Sequence, residues 1–364
     1  MIVSVVYFCL FFCIFLVIVL LQFLNRPQPP QILASEPYVS VLIAVRNEEH
    51  TIIRCLEAIA RQNYPPQKIE IILGDDASTD NTYAIIREYI RNKAFYRCVQ
   101  IKEQLGQAKG KGNVLAHLTR LATTEYFFIT DADIQVPENW IRCMLAGMQQ
   151  KNTGIVTGVT TIKAQTLFEK LQAIDWLNAI GMMQVVSDLN LPVSTMGNNM
   201  LITRAAYEST GGYENMPFSV TEDVQLFKKV LQNKFNFKNL FHPGVLALST
   251  PAPTWAAILH QRKRWMQGIW YLPWYMNLLL IVYASFYAFC LPFIAYVPVS
   301  VVAAIFLGKL FLQTWFIYRC LKRVDLHYNW FTLILFEFYA LFVSLITILF
   351  FLLPFKFNWK ERKY

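Results

Sequence analysis

The first feature of the hydrophobic pattern is an uncharged apolar run at residues 2–24. At a rise of about 1.5 Å per residue, a helix of this length crosses the hydrocarbon core of a bilayer. A cleaved signal peptide is the alternative, but the run lacks a basic leading segment and a clear small-residue cleavage site. We therefore expect a transmembrane helix over residues 1–25, followed by a stiff proline-rich linker at 26–30.

Further apolar stretches near the C-terminus predict a membrane region over residues 271–353, with about three apolar segments. The segments cover about 277–297, 299–318 and 330–353. A basic loop at 319–323 and a basic tail at 354–364 both favour the cytoplasmic side. Because a single span would separate the loop from the tail, either the last segment is re-entrant or the tail departs from the charge rule.

Two charged residues, Lys309 and Glu337, interrupt these apolar segments. The functional interpretation is a polar path or a contact with a lipid head group. Pairing between helices, or extension of the charge toward the interface, is the simpler structural explanation.

Between the apolar ends, residues 37–270 alternate strand and helix patterns, which is typical of an α/β domain with a mostly parallel sheet and flanking helices. The predicted strands of its first half are 39–45, 68–73, 99–101 and 127–130, and the predicted helices are 51–62, 81–93 and one after the loop at 106–113. The second half predicts a strand at 154–160, a helix at 167–187, a strand after the turn at 195–198, and a helix opening at 219–224. We expect residues 255–268 at the membrane interface.

The composition narrows the class of protein further. The net charge is +9, hydrophobic residues make up 55% of the chain, and the mean hydropathy is +0.35. No nucleic-acid-binding module is recognisable, and Lys and Arg flank the apolar segments, so the charge favours a cytoplasmic membrane face over nucleic acid. The seven cysteines show no zinc-ligand spacing, which indicates a reducing compartment without a disulfide framework.

The most informative stretch is the apolar run 127–130, which ends on Asp131 and Asp133. In open α/β sheets, ligands bind at the carboxyl ends of the strands. Side chains two residues apart on a strand share a face, so both carboxylates can approach one divalent cation that bridges to a phosphate. The structural alternative is a solvated turn at the end of the strand.

Polar residues follow other predicted strands as well. Asp75 and Asp76 could accept hydrogen bonds from a base or ribose, or they could cap the next helix. Capping is the better explanation for residues 78–80. Lys109 and Lys111 lie in a glycine-rich loop and could offer cations to a diphosphate.

Two motifs in the second half have structural alternatives of their own. Thr221-Glu222-Asp223 opens a helix, where a cap and acids in the first turn are common. Gln261-Arg262-Lys263-Arg264-Trp265 could hold a phosphate and a sugar ring, or it could be a basic amphipathic strip at a membrane surface.

The ordered set of these motifs resembles the membrane-bound, inverting family-2 glycosyltransferases, the group that includes cellulose, chitin and hyaluronan synthases and ceramide glucosyltransferase. The motifs that carry the resemblance are Asp75-Asp76, Asp131-Ala132-Asp133, Thr221-Glu222-Asp223 and Gln261-x-x-Arg264-Trp265. The resemblance runs from about residue 39 to residue 265, and it implies a GT-A fold, a nucleotide-sugar donor and a divalent metal, Mg²⁺ or Mn²⁺.

The resemblance also implies roles for individual residues. Asp223 would be the general base. Asp131 and Asp133 would serve the metal, with Asp133 the better candidate for its ligand. The donor site would consist of Asp75, Asp76, Lys109, Asp131, Asp133 and Arg264. The acceptor site would consist of Glu222, Gln261 and Trp265.

Three departures from the family pattern are visible, the first being Ala44-Val45 where the family often has a proline near the end of the first strand. Ala77 stands where the family often has glycine, and since alanine favours a negative φ, the loop geometry is expected to differ. The gating-loop pattern of cellulose synthases is absent after Trp265, which weakens that assignment.

The sequence therefore predicts a metal-dependent inverting glycosyltransferase in a multi-pass protein of a bacterial inner membrane. It would move a sugar from a nucleotide sugar, most simply a UDP-sugar, to a lipid or lipid-linked glycan at the cytoplasmic face. A processive polysaccharide synthase is the first alternative, although about four spans leave little room for a channel. A catalytically inactive nucleotide-sugar-binding scaffold is the second, and the presence of Asp131, Asp133 and Asp223 argues against it.

Overall fold

The computed structural model describes residues 1–24, 35–352, 358–359 and 362–363. The predicted linker at 26–30 and most of the basic tail at 354–364 lie outside the described residues.

Nine strands lie between residues 39 and 249. They are β1 (Val39–Val45), β2 (Ile69–Asp75), β3 (Tyr96–Gln100), β4 (Tyr126–Asp131), β5 (Thr153–Thr157), β6 (Thr160–Ile162), β7 (Asn199–Thr203), β8 (Asn236–Asn239) and β9 (Ala247–Ser249). Seven of them form one sheet in the order β3-β2-β1-β4-β7-β5-β8, and β6 pairs with β9 in a separate parallel sheet.

The described residues also contain thirteen α-helices. They are α1 (Ile2–Leu24), α2 (Ile52–Ala60), α3 (Thr82–Ile90), α4 (Gly110–Leu121), α5 (Trp140–Gly147), α6 (Leu167–Ser187), α7 (Arg204–Ser209), α8 (Glu222–Gln232), α9 (Trp255–Gly268), α10 (Trp274–Ala284), α11 (Phe286–Phe293), α12 (Val299–Arg323) and α13 (Trp330–Leu352).

The sheet is mostly parallel, as the sequence predicts. Strands β3, β2, β1 and β4 run parallel, whereas β7 is antiparallel to both β4 and β5. Helices cover both faces, so the central strands are apolar on both sides. Phe127 and Phe128 of β4 point to opposite faces and are each 0% exposed, which contributes about 1.5–3 kcal/mol per ring.

Strand register brings the polar strand ends together. Val45 at the end of β1 pairs with Asp75 of β2, and Ala44 pairs with Asp131 of β4. Because β7 runs the other way, its first residue, Asn199, lies opposite Thr130 at the same edge. The turn that precedes β7 therefore joins the edge where the three parallel strands end.

The predicted bounds of β1 and α6 agree with the structure residue for residue. α6 begins where it does because Thr166 and Glu169 form a capping box, each side chain accepting a hydrogen bond from the other residue's backbone N–H. The single strand predicted at 154–160 is wrong. The chain breaks between β5 and β6 at Gly158, where a Cβ would lie 2.5 Å from Asn199 Oδ1.

Within the part of the chain that the structure describes, four helical segments are long and apolar enough to cross a membrane. They are Ile2–Leu24, Trp274–Phe293, Val299–Arg323 and Trp330–Leu352. The second comprises α10 and α11 and ends four residues before the predicted boundary at 297, whereas the third extends five residues beyond 318. α13 is one unbroken helix, and its last turn contacts α9, where Lys263 Nζ donates to the carbonyl oxygen of Phe350 at 3.3 Å.

The two charges within the apolar segments pair with each other. Lys309 of α12 and Glu337 of α13 form an ion pair, with side-chain exposures of 5% and 2%. Tyr287 of α11 donates a hydrogen bond to the same carboxylate. The structure thus favours helix–helix pairing, because these polar groups satisfy one another away from water.

Candidate active site

A cavity of about 790 Å³ opens at the polar edge of the sheet. Its walls include the ends of β1 and β4, the turn before β7, the start of α8, and one face each of α6 and α9. It brings together these residues predicted from the sequence: Asp76, Asp131, Asp133, Glu222, Asp223, Gln261, Arg264 and Trp265.

Two predicted donor-site residues do not line this cavity. Asp75 is 1% exposed, and its Oδ2 lies 3.4 Å from the backbone nitrogen of Ser78 beneath the loop. Lys109 is exposed at the N-cap of α4, where its ammonium lies 5.9 Å from the ring centroid of Phe218. Lys111, two residues further and already inside α4, lines the cavity instead.

The loop after β2 holds Asp76 at the cavity. Ala77 adopts the left-handed φ of +53° that glycine would favour. The prediction that the loop geometry differs at this position is therefore wrong. The guanidinium of Arg46 donates to the carbonyl oxygen of Ala77 at 3.1 Å and also to that of Asp76. These hydrogen bonds hold a backbone conformation that alanine alone disfavours. At the start of α3, Asn81 is the N-cap residue and Asp80 accepts from the backbone of Thr82.

The two acids after β4 have different partners. Asp131 Oδ1 lies 2.5 Å from Lys111 Nζ. Asp133 Oδ2 accepts hydrogen bonds from Ser249 Oγ at 2.8 Å and Thr250 Oγ1 at 3.2 Å. Asp133 is therefore oriented by neutral hydroxyls, which leave its negative charge uncompensated by these partners.

Lys111 links this pair to the start of α8, since its ammonium also lies 3.8 Å from Glu222 Oε1. Burial opposes the charge on Lys111, but Asp131 and Glu222 outweigh it and raise the Lys111 pKa. Burial raises the pKa of Glu222 to about 7, against the opposing effect of Lys111 and with a further contribution from Asp223.

Asp223 lies in the first turn of α8 and faces the cavity. Its Oδ2 accepts the backbone N–H of Gly197 at 2.7 Å, and its Oδ1 accepts that of Val224 at 2.9 Å. Thr221 is the N-cap residue, as the capping alternative predicts, but its side chain makes no capping hydrogen bond. Asp223 is thus held by two backbone donors, one from the turn before β7 and one from α8 itself.

One face of α9 presents Gln261, Arg264 and Trp265 to the cavity. Burial lowers the pKa of Arg264, and the carboxylates of Glu222, Asp131, Asp223 and Asp133 oppose that effect. Because these acids surround it, the guanidinium is held as a cation next to their carboxylates in the cavity.

The opposite wall of the cavity comes from α6, to which the sequence analysis assigns no site residue. Asp175 forms an ion pair with Arg262 of α9, with side-chain exposures of 16% and 25%. The adjacent Trp176 packs edge-to-face on Trp265, with ring centroids 5.0 Å apart. An acid within the apolar run 171–177 is the sequence signal that could have identified this wall. Ser249 and Thr250 carry no comparable signal.

The carboxylates at the cavity could hold a divalent metal ion that binds together with the substrate. Among the residues that the structure describes, no three His, Cys, Asp or Glu side chains form a metal-binding group. Asp131 and Asp133 supply two carboxylates at the cavity, and Mg²⁺ is commonly held by one or two carboxylates plus substrate phosphates. The residues present therefore fit a divalent cation whose remaining ligands come from a diphosphate.

The fold has a counterpart among solved structures. The mannosyltransferase PcManGT from Pyrobaculum calidifontis, in complex with GDP-Man and Mn²⁺, superposes with a TM-score of 0.60 at 18% identity. The match covers 88% of this chain and 97% of that chain. This likeness confirms the predicted GT-A type of fold.

Curated relatives include enzymes with lipid and with polysaccharide names. The chain is 28% identical over 246 residues to a beta-monoglucosyldiacylglycerol synthase of Nostoc sp., which covers 67% of this chain and 51% of the relative. It is 28% identical over 233 residues to a poly-beta-1,6-N-acetyl-D-glucosamine synthase of Staphylococcus epidermidis, which covers 63% of this chain and 54% of the relative. The chain spans about half the length of these curated relatives.

Family profiles cover most of the chain, and the matched ranges include the residues that line the cavity. Residues 40–211 match glycosyl transferase family 2, and residues 126–357 match glycosyl transferase family group 2. These ranges contain the acids after β2 and β4, the start of α8 and the cavity face of α9, which the structure gathers around one cavity. The protein therefore belongs to glycosyl transferase family 2, as the resemblance of its motifs predicts.

Proposed function

We propose that this protein transfers a sugar, with inversion, from a UDP-sugar to a hydroxyl of a lipid or lipid-linked glycan at the cytoplasmic face of a membrane. The observation that carries the proposal is that Asp223 shares one cavity with the carboxylates of Asp131 and Asp133 and the cation of Arg264. A base for the acceptor and a binding site for the donor's diphosphate thus lie in the same cavity, where the two substrates can meet.

The donor would bind at the ends of β1, β2 and β4. Asp76 would contact the base or ribose, and Asp131 and Asp133 would approach the diphosphate. Lys111 and Arg264 would supply fixed positive charge to it. Lys111 replaces Lys109 in this proposal, because Lys109 lies outside the cavity.

A divalent cation, Mg²⁺ or Mn²⁺, would be held by Asp133 and Asp131. When bound, it would balance the charge that develops on the leaving diphosphate. Binding at Asp131 would require Lys111 to move from that carboxylate, and Glu222 and the diphosphate are its alternative partners.

Asp223 would act as the general base in a single displacement. It takes the proton of the acceptor hydroxyl as that oxygen forms a bond to the anomeric carbon. The bond between the anomeric carbon and the phosphate oxygen breaks, and the nucleoside diphosphate leaves with the electron pair. The hydrogen bond from the backbone N–H of Gly197 orients Oδ2 in the cavity.

The acceptor would bind on the side of α6 and α9, against Glu222, Gln261 and Trp265. A lipid acceptor is consistent with the nearby apolar helices and with the name of the Nostoc relative. A processive polysaccharide synthase is the second candidate, which the name of the Staphylococcus relative favours.

The proposed sidedness follows from the basic end of α12. Arg323 pairs with Asp188 of the α/β domain at 3.7 Å, so this basic end lies on the same side as that domain. Lys and Arg near span ends favour the cytoplasm.

The proposal is tested by nucleotide release from the purified protein in lipid nanodiscs. UDP-glucose, UDP-galactose, UDP-N-acetylglucosamine, UDP-glucuronate and GDP-mannose would be screened with Mg²⁺, Mn²⁺ or a chelator. We expect metal-dependent release from one UDP-sugar and a product of lipid size. A long polymer would favour the second candidate, and donor binding without release or transfer would favour an inactive scaffold.

A further inference from the structure

The cavity continues away from the reacting acids as a groove between α6 and α9. The lining residues on α6 are three or four positions apart, so they lie on one face of the helix. They are Trp176, Ala179, Ile180 and Met183. Beyond Trp265, the opposite wall consists of Gly268, Ile269 and Leu272. The groove is therefore bounded by α6 on one side and, on the other, by the end of α9 and the 3₁₀ turn that follows it.

The chemistry of the walls changes along this groove. Beyond the Asp175–Arg262 ion pair, the lining side chains contributed by α6 and by residues 269–272 are apolar. Ile180 packs against Trp176 at the start of the groove, whereas Ala179 is exposed. An apolar wall that continues a polar site within one cavity indicates a ligand with a polar head and an apolar tail.

The apolar end of the groove adjoins the place where the chain enters its second candidate span. Trp270 is 83% exposed, and Trp274, the first residue of α10, is 75% exposed. The loop after α6 exposes Leu191, and its neighbour Pro192 accepts a hydrogen bond from the hydroxyl of Tyr275 in α10. Exposed Trp residues at a span end mark the membrane–water interface.

We propose that this acceptor groove, formed by Ala179, Ile180, Met183, Ile269 and Leu272, binds the hydrocarbon chain of a membrane-lipid acceptor. The inference rests on the proposed function, because the hydroxyl of that lipid would lie at Asp223. The helix rises about 10 Å from residue 176 to residue 183, so the groove covers the part of the chain nearest the head group.

A series of acceptor lipids with chains of increasing length tests the groove. Short-chain diacylglycerols presented as monomers are the probe, with transfer and donor hydrolysis measured separately. We expect the acceptor KM to fall roughly three- to fourfold for each methylene that enters the groove, and the donor KM to stay constant. An acceptor KM that does not depend on chain length would contradict binding of the hydrocarbon chain in the groove.

Ala179→Trp fills the groove at an exposed position, so it places no new bulk in the core. We expect the acceptor KM to rise about tenfold or more and its dependence on chain length to disappear, with donor hydrolysis unchanged. Leu167→Trp is the matched control, since Leu167 lies on the same helix, is 43% exposed and does not line the cavity. An unchanged acceptor KM in Ala179→Trp would overturn the groove and leave the proposed transferase intact.

Photo-cross-linking of the unmodified protein gives a readout that depends neither on activity nor on the folding of a variant. A diacylglycerol with a diazirine in its short chain should label peptides that contain residues 176–183 or 269–272. Labelling confined to other membrane helices would contradict the proposal. A wild-type protein that glycosylates only soluble glycans would overturn both the lipid acceptor and the groove.

Discussion

The backbone N–H of Gly197 donates to Asp223 Oδ2 at 2.7 Å, and this contact joins the two halves of the site. Gly197 lies in the turn before β7, at the edge where the parallel strands end, whereas Asp223 opens α8. The proposed base is therefore held at a fixed distance from the acids after β4 by a backbone group that no side-chain substitution removes.

Gly197→Ala should displace Asp223, because a Cβ at this position would lie 2.9 Å from Asp223 Cβ and 3.0 Å from Oδ2. A shift of this kind in a catalytic group lowers kcat, and we expect a loss of roughly 10- to 100-fold with little change in donor KM. Gly112→Ala is the control, since its Cβ would meet its nearest neighbour at 3.8 Å. Equal effects of the two variants on kcat would contradict the positioning role.

Lys111 and Lys109 provide a matched pair for testing which cation serves the donor. Lys111→Gln removes a charge beside Asp131, and we expect nucleotide-sugar affinity to fall roughly 10- to 100-fold, as for the loss of a charge-assisted hydrogen bond. Lys109→Gln should leave the affinity unchanged. Calorimetric titration with the nucleotide sugar measures the affinity of both variants. A larger loss of affinity in Lys109→Gln than in Lys111→Gln would show that Lys109 serves the donor.

Glu222 should make stability depend on pH. Its pKa is raised from 4.5 to about 7 by burial, so between these values the folded protein retains a proton that the unfolded chain has lost. Stability therefore falls as pH rises from about 4.5 to about 7, by at most about 3 kcal/mol. Glu222→Gln should abolish this fall, as followed by the unfolding midpoint in detergent.

The control for this pH dependence is Glu208→Gln, because the Glu208 side chain is 63% exposed. Its unfolding midpoints should follow those of the wild type at every pH. A Glu222→Gln curve that ran parallel to the wild-type curve would remove Glu222 as the cause.

The Asp175–Arg262 ion pair should couple α6 to α9. We expect Asp175→Asn and Arg262→Gln each to destabilise the protein by about 1–3 kcal/mol, and the double variant to lose less than the sum. The exposed pair Glu57–Arg61 is the comparison, with a coupling of at most about 0.5 kcal/mol. Additive losses for Asp175 and Arg262 would show that the pair does not couple the helices.

The bounds of a helix or strand were predictable from the sequence wherever neighbouring residues alone determine them. The bounds of α6 follow from a capping box next to a long apolar run, and β1 is an apolar run that ends in polar residues. The break at Gly158 was not predictable, because it depends on Asn199, which is distant in sequence.

The same distinction holds for the site. The acids after β4 were found because a parallel strand delivers its end to the ligand-binding edge. Asp175 was missed because its partner, Arg262, lies 87 positions away and was itself read only as part of a basic motif. Lys111 rather than Lys109 lines the cavity because α4 begins at Gly110, which the sequence alone does not show.

The central claim is that Asp223 takes the proton of the acceptor while the acids after β4 serve the donor. The most direct measurement compares Asp223→Asn with the wild type for both sugar transfer and nucleotide-sugar binding, in the same nanodiscs and with the same metal. We predict a transfer rate lower by roughly 10²- to 10⁴-fold and an unchanged donor affinity. A variant that transfers sugar at the wild-type rate would contradict the account.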